Sequence, residues 1–573
     1  METDLKLEST VWVGSKRYRA VLTGWHFNWT ELDKKNRDKK TISVPVAEVV
    51  GVEEGRVEIL PQKSIEDTDK VFTVFYVKRS STGSSYGLLW TLGRTQFSVP
   101  SRVLRDQWTK HLRAALKTHS PVRPNRLLVF INPYGGKQKG RKIYHSLVAP
   151  LFELAGISCH VIVTERANQA RDHLLKKDLT GFDGVVCVGG DGMFSEILHG
   201  LIGRTQQEAC LCENDPTVTL RPCQRHIGII PAVGVIDPVT SALHIIIGDS
   251  QPLDVCSVHQ ASGLVRYSVS LLGYGFYGDV LAESEKHRWM GPLRYDYSGT
   301  MVYLSNRSYA GIVQYLPADP LLSSPRDRTR CLSGCSVCSR STERLFPHSS
   351  DSGSLYSSHY SQFSSDSEGE WVTVEGRFRC VSLTCMSSSC PKSPLGLSPS
   401  AHLADGTGDL ILVWDTHPLG FLKFLYRHTS TEDQFDLPFV EVHRVKAVRF
   451  SLPPGKEEEE YEEIGGSSGG MDEEERGYIE TVSRSGSQQH LADRGPGREM
   501  TNVQKTGNPF LCGLCCSKAP AVSVWNCDGE ILPSTEILSR VHGQLVRLYA
   551  RGIEDGAAVH CSEDIERGCT LQK

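Results

Sequence analysis

Along residues 7–99 apolar and polar side chains alternate in short runs, among them Ser9–Val13, Tyr18–Leu22, Val71–Val77 and Gly87–Trp90. A period of two puts successive side chains on opposite faces of a strand, so this stretch predicts a small antiparallel sandwich or barrel. The period then changes. Val103, Leu104, Trp108, Leu112 and Leu116 recur at helical spacing, with Arg105, Lys110, Arg113 and Lys117 on other faces. This predicts one amphipathic helix after the strands, with Trp108 plugging an end of the barrel.

A proline-broken linker, Pro121 to Asn125, separates this region from a different pattern. Leu127–Ile131, Ser158–Thr164, Val185–Val188 and Ile227–Ala232 are nearly continuous apolar runs with helical stretches between them, including one from about Arg141 to Ala155. Strands buried on both sides and alternating with helices predict a parallel sheet covered on both faces. After Asp254 the two-residue alternation returns, and a mostly antiparallel sandwich packed against the α/β region is expected, with an active-site cleft between them. The fold class is therefore multidomain α+β: a small antiparallel β-barrel with a C-terminal helix over 1–120, an α/β nucleotide-binding domain over 121–254, and a β-rich domain over 255–573.

Composition refines this picture. A chain of 573 residues needs two or three cores. Its balance of 39% hydrophobic and 23% charged residues is slightly polar for a globular protein, which points to unstructured insertions. Two candidates are the serine-rich stretch near 340–370 and the acidic, glycine-rich stretch near 455–518. A net charge of −4 argues against nucleic acid as a partner. The absence of a long apolar run and of a basic-then-apolar start leads to the expectation of a cytoplasmic protein. Its 18 cysteines are then thiols or metal ligands. Cys331, Cys335 and Cys338 form Cys-x3-Cys-x2-Cys, a half-site whose fourth ligand is sought in Cys380, Cys385 or Cys390; a structural or redox-sensitive element is favoured over a catalytic one. Cys512, Cys515 and Cys516 are open to lipidation or metal binding.

The chemistry concentrates in the turns after the apolar strands. Gly189-Gly190-Asp191-Gly192 stands between a strand and an amphipathic helix. The glycines let a ligand approach the backbone, and the helix N-terminus offers free N–H groups and its positive dipole end, a fit for phosphate. A carboxylate there suits a different task, taking a proton from an attacking hydroxyl, so Asp191 is the candidate base. Asn132-Pro133-Tyr134-Gly135-Gly136-Lys137 is a second glycine turn, now with a cation. Its spacing is neither Walker A nor the dinucleotide fingerprint.

These motifs, with Thr164-Glu165 after the second strand and a late Asp528-Gly529-Glu530, resemble the diacylglycerol-kinase catalytic domain shared with sphingosine kinases. Ser268–Asp279 and Arg547–Glu554 extend a resemblance to the ceramide-kinase family over nearly the full length. The resemblance implies an ATP-dependent lipid kinase that phosphorylates the primary hydroxyl of ceramide, with Mg²⁺ carried in on the nucleotide. Alternatives are a sphingosine or diacylglycerol kinase, or a non-catalytic lipid-binding scaffold. By the same resemblance Asn132, Gly135, Gly136, Lys137, Thr164, Glu165, Asn168, Gly190, Gly192, Glu196, Asp528, Gly529 and Glu530 bind ATP, while Gly189, Gly190, Asp191, Gly192, Asp279 and Glu283 face the lipid. Glu196 is alternatively a helix-capping carboxylate, and Asp279 alternatively an N-cap. Ala404–Val413 matches a family segment beside the lipid pocket.

The N-terminal region resembles a pleckstrin-homology domain. Lys34, Lys35, Arg37, Lys39 and Lys40, with Lys16, Arg17 and Arg19 nearby, are either a docking loop for phosphoinositides on an anionic membrane or a solvated loop diluted by Asp33 and Asp38. The family implies peripheral attachment to plasma membrane or Golgi. Phe421–His428, with Phe421 and Phe435 as anchors, is either a calmodulin-binding helix, which would bring in Ca²⁺, or a packed core helix, the favoured reading.

One segment departs from the family. After Ile227–Ala232 the relatives continue with Gly-Ser-Gly or Gly-Ser-Thr and a helix, a third phosphate-contacting turn. Here the chain reads Val233-Gly234-Val235-Ile236-Asp237-Pro238. Pro238 can only open a helix, so a shortened helix and exposed apolar sheet surface are expected, and the loss of donors aimed at phosphate leads to the expectation of impaired or absent catalysis.

Overall fold

The computed structural model describes residues 6–32, 41–55, 69–80, 88–120, 122–135, 138–231, 236–319, 324–346, 369–389, 393–430, 432–454 and 522–554. The basic loop 33–40, Gly136 and Lys137, the departure at 232–235, Cys390, the acidic insertion, Cys512, Cys515 and Cys516, and most of the serine-rich stretch lie outside the described residues. Among the described residues the strands form two sheets, of seven and fourteen strands.

The first sheet comprises β1 (Leu7–Val13), β2 (Lys16–Leu22), β3 (His26–Glu31), β4 (Thr41–Pro45), β5 (Val49–Glu54), β6 (Val71–Arg79) and β7 (Trp90–Ser98). All its neighbours are antiparallel, in the order β4-β3-β2-β1-β7-β6-β5. Helix α1 (Arg102–His119) starts at Ser101, whose hydroxyl accepts from the Leu104 amide. Trp108 is fully buried against Phe27 and Phe72, and its indole N–H donates to Ser9 Oγ at 2.9 Å, so it closes the barrel as its spacing predicts. Two expectations need correction. Val103 is exposed at the helix start, and the last strand begins at Trp90, after Leu88 and Leu89, with Gly87 outside the described residues.

The second sheet begins with β8 (Arg126–Ile131), β9 (Ser158–Val163), β10 (Gly184–Val188) and β11 (His226–Ile230), all parallel. Between β8 and β9 lie α2 (Gly140–Ile143), a wider turn at Tyr144–Val148, and α3 (Ala149–Leu154). Pro150 supplies no N–H to the helical ladder here, which accounts for the widened turn. Helices α4 (Gln169–Lys176), α5 (Asp191–Glu208) and α6 (Pro238–Ile247) follow the next strands. One sheet face buries Val129, Val186 and Ile230 under α6, and the other buries Phe130, Val185 and Cys187 under α4 and α5.

Helix α6 overturns one expectation. Asp237 caps it by accepting from the Thr240 amide at 2.7 Å, Pro238 occupies its first position, and Ile245, Ile246 and Leu243 are fully buried. Ile245 packs so closely on Gly228 that a Cβ there would stand 2.7 Å away. The sheet beneath is covered, because the ten remaining helical residues are apolar enough to span it.

Next come β12 (Ser250–Gln260), β13 (Gly263–Ser268), β14 (Leu271–Gly275), α7 (Phe276–Lys286), α8 (Leu293–Ser305), β15 (Tyr309–Pro317), α9 (Ser336–Leu345), β16 (Val372–Thr384), β17 (Gly408–Trp414), α10 (Pro418–His428), β18 (Val440–Ser451), β19 (Trp525–Cys527), β20 (Glu530–Ile531) and β21 (Ile537–Tyr549). These strands pair antiparallel, as the alternation predicts. They are nevertheless continuous with the parallel strands. Strand β21 pairs antiparallel with β12 from Leu538 to Tyr549, while β18 lies antiparallel to it at Ile537–Arg540 and β11 parallel to it at Arg547 and Leu548. The expected sandwich packed against a separate α/β sheet is thus replaced by one sheet that changes character at β21.

The N-terminal barrel shares a core with the α/β region. Val50, Phe75 and Trp90 join Leu151 and Ala242 in one cluster, and the Trp90 ring stacks on His244 at 3.8 Å. Arg79 and Arg551 both pair with the buried Glu48, at 2.7 and 2.6 Å. His244 is one of several imidazoles that burial keeps neutral: His199, His226, His244 and His428 are pushed down to about 4 and His542 to about 3, from 6.5. The unfolded chain binds these protons first, so their contribution is present above about pH 6.5 and is lost as pH falls toward 4. Each costs about 1.4 kcal/mol per pH unit inside its window. The melting temperature is expected to drop steeply between pH 7 and 5; thermal denaturation across that range checks it, and a flat profile contradicts the burial of these rings.

Candidate active site

Three strand ends meet at one edge of the parallel sheet. After β8, Asn132 donates its amide to Val188 O at 3.0 Å, and its Oδ1 accepts from the amides of Tyr134 and Gly135 at 2.9 and 3.1 Å. Asn132 therefore folds the first glycine turn. After β10, a Cβ on Gly189 would lie 3.3 Å from Asn132 Cβ, so the two turns are in contact. A Cβ on Gly190 or Gly192 would meet no protein atom within 4 Å. Their glycine identity is not required by the surrounding protein, which leaves the open side of the turn for a ligand.

Asp191 is the first residue of α5 and is exposed. Gly190 caps the helix without a side chain, so the leading amides keep free N–H groups directed at the same opening. Carboxylate, glycines and helix end thus come together as the sequence predicts.

Other predicted nucleotide contacts have structural duties. Thr164 is buried, and its hydroxyl and amide both donate to Ile131 O, at 3.3 and 2.9 Å. The Glu165 amide donates to Gln169 Oε1 at 2.6 Å, and Asn168 takes a left-handed conformation with φ 60° at the start of α4, without a side-chain cap. Glu196 does cap a helix, but the neighbouring one: its Oε2 accepts from the Ala170 amide at 3.1 Å. Asp528 accepts from the amides of Val269, Ser270 and Leu271 and from Ser268 Oγ, at 2.8–3.1 Å. Desolvation pushes its carboxyl above the ordinary range against the pull of these donors. These bonds tie it to the β13–β14 connection. Gly529, with φ 89° in the same turn, leaves Glu530 exposed on its far side.

Glu530 pairs with Arg266, whose guanidinium also donates to Ser195 Oγ at 3.2 Å. This puts a cation of β13 beside the first turns of α5. Sequence reading missed Arg266, because it sits in an ordinary alternating strand 264 residues from its partner. Nearby, His199 Nε2 accepts from the Tyr267 amide at 3.1 Å; burial and the cations Arg266 and Arg171 keep this ring neutral.

The predicted lipid residues divide. Asp279 lies one turn inside α7, whose N-cap position is Gly275, so the N-cap reading is wrong. Its oxygens accept from Tyr309 Oη and Ser523 Oγ, both at 2.5 Å, and burial pushes its carboxyl above the usual range against those donors. It lines a small recess with Phe276, Val302, Tyr303, Arg379 and Phe421. Gly278 lets α7 seat there, since a Cβ would strike Val524 O at 1.8 Å. Glu283 is not part of that lining; it pairs with Lys286 at 2.9 Å and faces His287. In Ala404–Val413, Asp409 is locked to Arg444 at 2.8 Å and serves the core.

Helix α10 carries Phe421 and Phe424 in a cluster with Phe435, so the proposed calmodulin anchors are core residues and the packed-helix reading applies. In the barrel, Lys16 pairs with Glu31 at 3.1 Å and Arg19 with Glu8 at 2.6 Å, which offsets much of the strand's charge. No helix among the described residues is long and apolar enough to cross a membrane.

Comparison with known proteins follows this layout. Residues 7–112 match the ceramide kinase PH domain, 126–258 the diacylglycerol kinase catalytic domain and 343–479 the ceramide kinase C-terminal domain. The chain is 43% identical to a ceramide kinase of Homo sapiens over 96% of this chain and 97% of that one, and 41% identical to a ceramide kinase of Mus musculus over 96% and 98%. A solved putative diacylglycerol kinase of Bacillus anthracis aligns with 75% of this chain and 96% of its own, at 12% identity and a TM-score of 0.42. With an exposed glycine-rich turn opening onto Asp191, and with likeness to two mammalian relatives along almost its whole length, the chain belongs to the ceramide kinase family.

Proposed function

We propose that this chain transfers the γ-phosphoryl group of MgATP to the primary hydroxyl of ceramide, giving ceramide 1-phosphate and ADP. The observation that carries this reading is Asp191, exposed at the first position of a helix whose preceding glycines leave open space for phosphate. Asp191 takes the hydroxyl proton as the lipid oxygen bonds to the γ-phosphorus. The bond from that phosphorus to the bridging oxygen breaks, and ADP leaves. The free amides of α5 and the guanidinium of Arg266 offset charge on the transferred group. Mg²⁺ enters as part of the nucleotide substrate, held by its phosphate oxygens.

In this reading Asp279 accepts from polar head-group hydrogens of the lipid, and Phe276 and Phe421 pack against its apolar part; the support is that the three residues line one recess between α7, α8 and α10. Gly189, Gly190 and Gly192 bring the acceptor hydroxyl to Asp191, while Asn132, Gly135, Gly136 and Lys137 cradle the nucleotide phosphates. The basic run from Lys34 to Lys40 supplies reversible docking on an anionic phosphoinositide surface, at about 1 kcal/mol per cation. The domain functions follow as membrane docking for 1–120, ATP binding for 121–254 and lipid binding for 255–573.

A lipid panel tests the substrate. Labelled ATP is offered with ceramide, sphingosine and diacylglycerol in identical micelles, and ceramide is expected to be phosphorylated at least about tenfold faster than either, the scale of one lost buried polar contact. A preference for sphingosine or diacylglycerol replaces the substrate assignment. Lipid binding without transfer to any of the three supports the scaffold reading that the missing Gly-Ser-Thr favours.

A further inference from the structure

The thiol cluster has a complete ligand set that its sequence spacing leaves unfinished. Cys331 and Cys335 lie just before α9 and Cys338 lies in its first turn, so a short chain and one helical turn bring the three sulfurs to one side. The fourth group comes from elsewhere. His402, in the loop before β17, is fully buried and points Nδ1 at Cys335 Sγ, 3.3 Å away. Cys331 Sγ and Cys338 Sγ are 3.6 Å apart, and all four ligand atoms lie within 4.8 Å of one another. Two of the anticipated donors lie elsewhere: Cys385 faces Cys256 at 3.1 Å, and Cys380 is buried in the α10 core, while Cys390 is outside the described residues.

Sulfurs at about 2.3 Å from a tetrahedral ion stand about 3.8 Å from each other, close to the separation of Cys331 and Cys338. Three sulfurs and one imidazole nitrogen are a soft, borderline set that selects Zn²⁺ over Mg²⁺ or Ca²⁺. The Leu403 amide is 3.5 Å from Cys331 Sγ, a donor placed to support a thiolate. We propose that Cys331, Cys335, Cys338 and His402 bind one structural Zn²⁺, through three thiolates and the neutral imidazole Nδ1. Binding releases the three thiol protons to solvent, and no oxidation is involved. Four protein ligands leave no open position, so the ion has a structural role instead of activating water.

The ion fastens α9 to the loop that organises the change of sheet character. Leu403 O accepts from the Asp254 amide at 2.7 Å, the Gly406 amide donates to Asp254 Oδ2 at 2.6 Å, and Ala404 O accepts from Gln544 Nε2 at 3.0 Å. Thr342 of α9 reaches the same Gln544. Asp254 is on β12 and Gln544 on β21, the strands that join the parallel and antiparallel parts. Zinc would hold this junction together from outside the active site.

The full-length chain, purified without chelator, is expected to carry about one zinc by elemental mass spectrometry. Replacing the zinc with cobalt(II) is expected to give the intense visible bands of a tetrahedral thiolate site. Cys338→Ser and His402→Ala should lose zinc to a weak chelator at least about tenfold more readily, and His402→Cys should retain it with the spectrum of a four-sulfur site. Should the variants fail to fold, the stoichiometry and cobalt spectrum of the unmodified protein still decide. A folded chain with less than about 0.1 zinc, a Cys331–Cys338 disulfide in freshly reduced-purified protein, or cobalt bands of octahedral type would each overturn the assignment.

Discussion

Asp191→Asn is expected to lower ceramide phosphorylation by about 10²–10⁴-fold, the usual contribution of a positioned general base. The substituted amide keeps the shape of the side chain and cannot take the hydroxyl proton. Because Asp191 is exposed at the first position of α5, the loss should be confined to turnover, with stability changed by no more than about 0.5 kcal/mol. Initial rates with saturating MgATP and ceramide, beside thermal melts, separate the two effects. Turnover within twofold of the unsubstituted chain would remove Asp191 from the chemistry.

The second large effect concerns stability. Asp528→Ala strips the acceptor from the amides of Val269, Ser270 and Leu271, and enclosed amides without partners cost about 1–3 kcal/mol each. A loss of about 3–5 kcal/mol is expected after partial rescue by water. Glu530→Gln is the informative companion. Glu530 is half exposed and pairs with Arg266, so its loss should cost at most about 1 kcal/mol while altering the charge beside α5. Denaturant unfolding compares them. If Asp528→Ala unfolds like the parent but weakens ATP binding tenfold, the carboxylate serves the nucleotide after all.

The contrast between these two acids explains what was legible in the sequence. Local patterns carried the elements: alternation gave the barrel, continuous apolar runs gave the parallel strands, and the spacing of Trp108 gave the helix that closes the barrel. The Asp191 turn was also legible, because strand, glycines and helix are adjacent in the chain. Roles that depend on distant partners were not. Thr164, Glu196 and Asp528 are polar residues in promising turns, yet each is committed to a backbone group supplied by another segment. Arg266 and His402 carried no local signal, since their partners lie 264 and 67 residues away. The role of β21 was hidden for the same reason: its parallel contact with β11 spans two residues of a strand in a region that reads as mostly antiparallel. The covered sheet under α6 depends on a different property: the apolarity of Pro238–Ile247 decides whether the sheet is buried, and a departure from the relatives' Gly-Ser-Thr does not reveal it.

The Asp191 turn is expected to support phosphoryl transfer in a chain without the Gly-Ser-Thr segment. The most direct measurement is formation of labelled ceramide 1-phosphate by this chain, beside a version with Gly-Ser-Thr and its helix start inserted after Ala232. Product from both is predicted, with the inserted version faster by about 10–10³-fold, the effect of restoring a phosphate-directed donor. Product from the inserted version alone would contradict the account, and this chain would then be a lipid-binding relative of an enzyme.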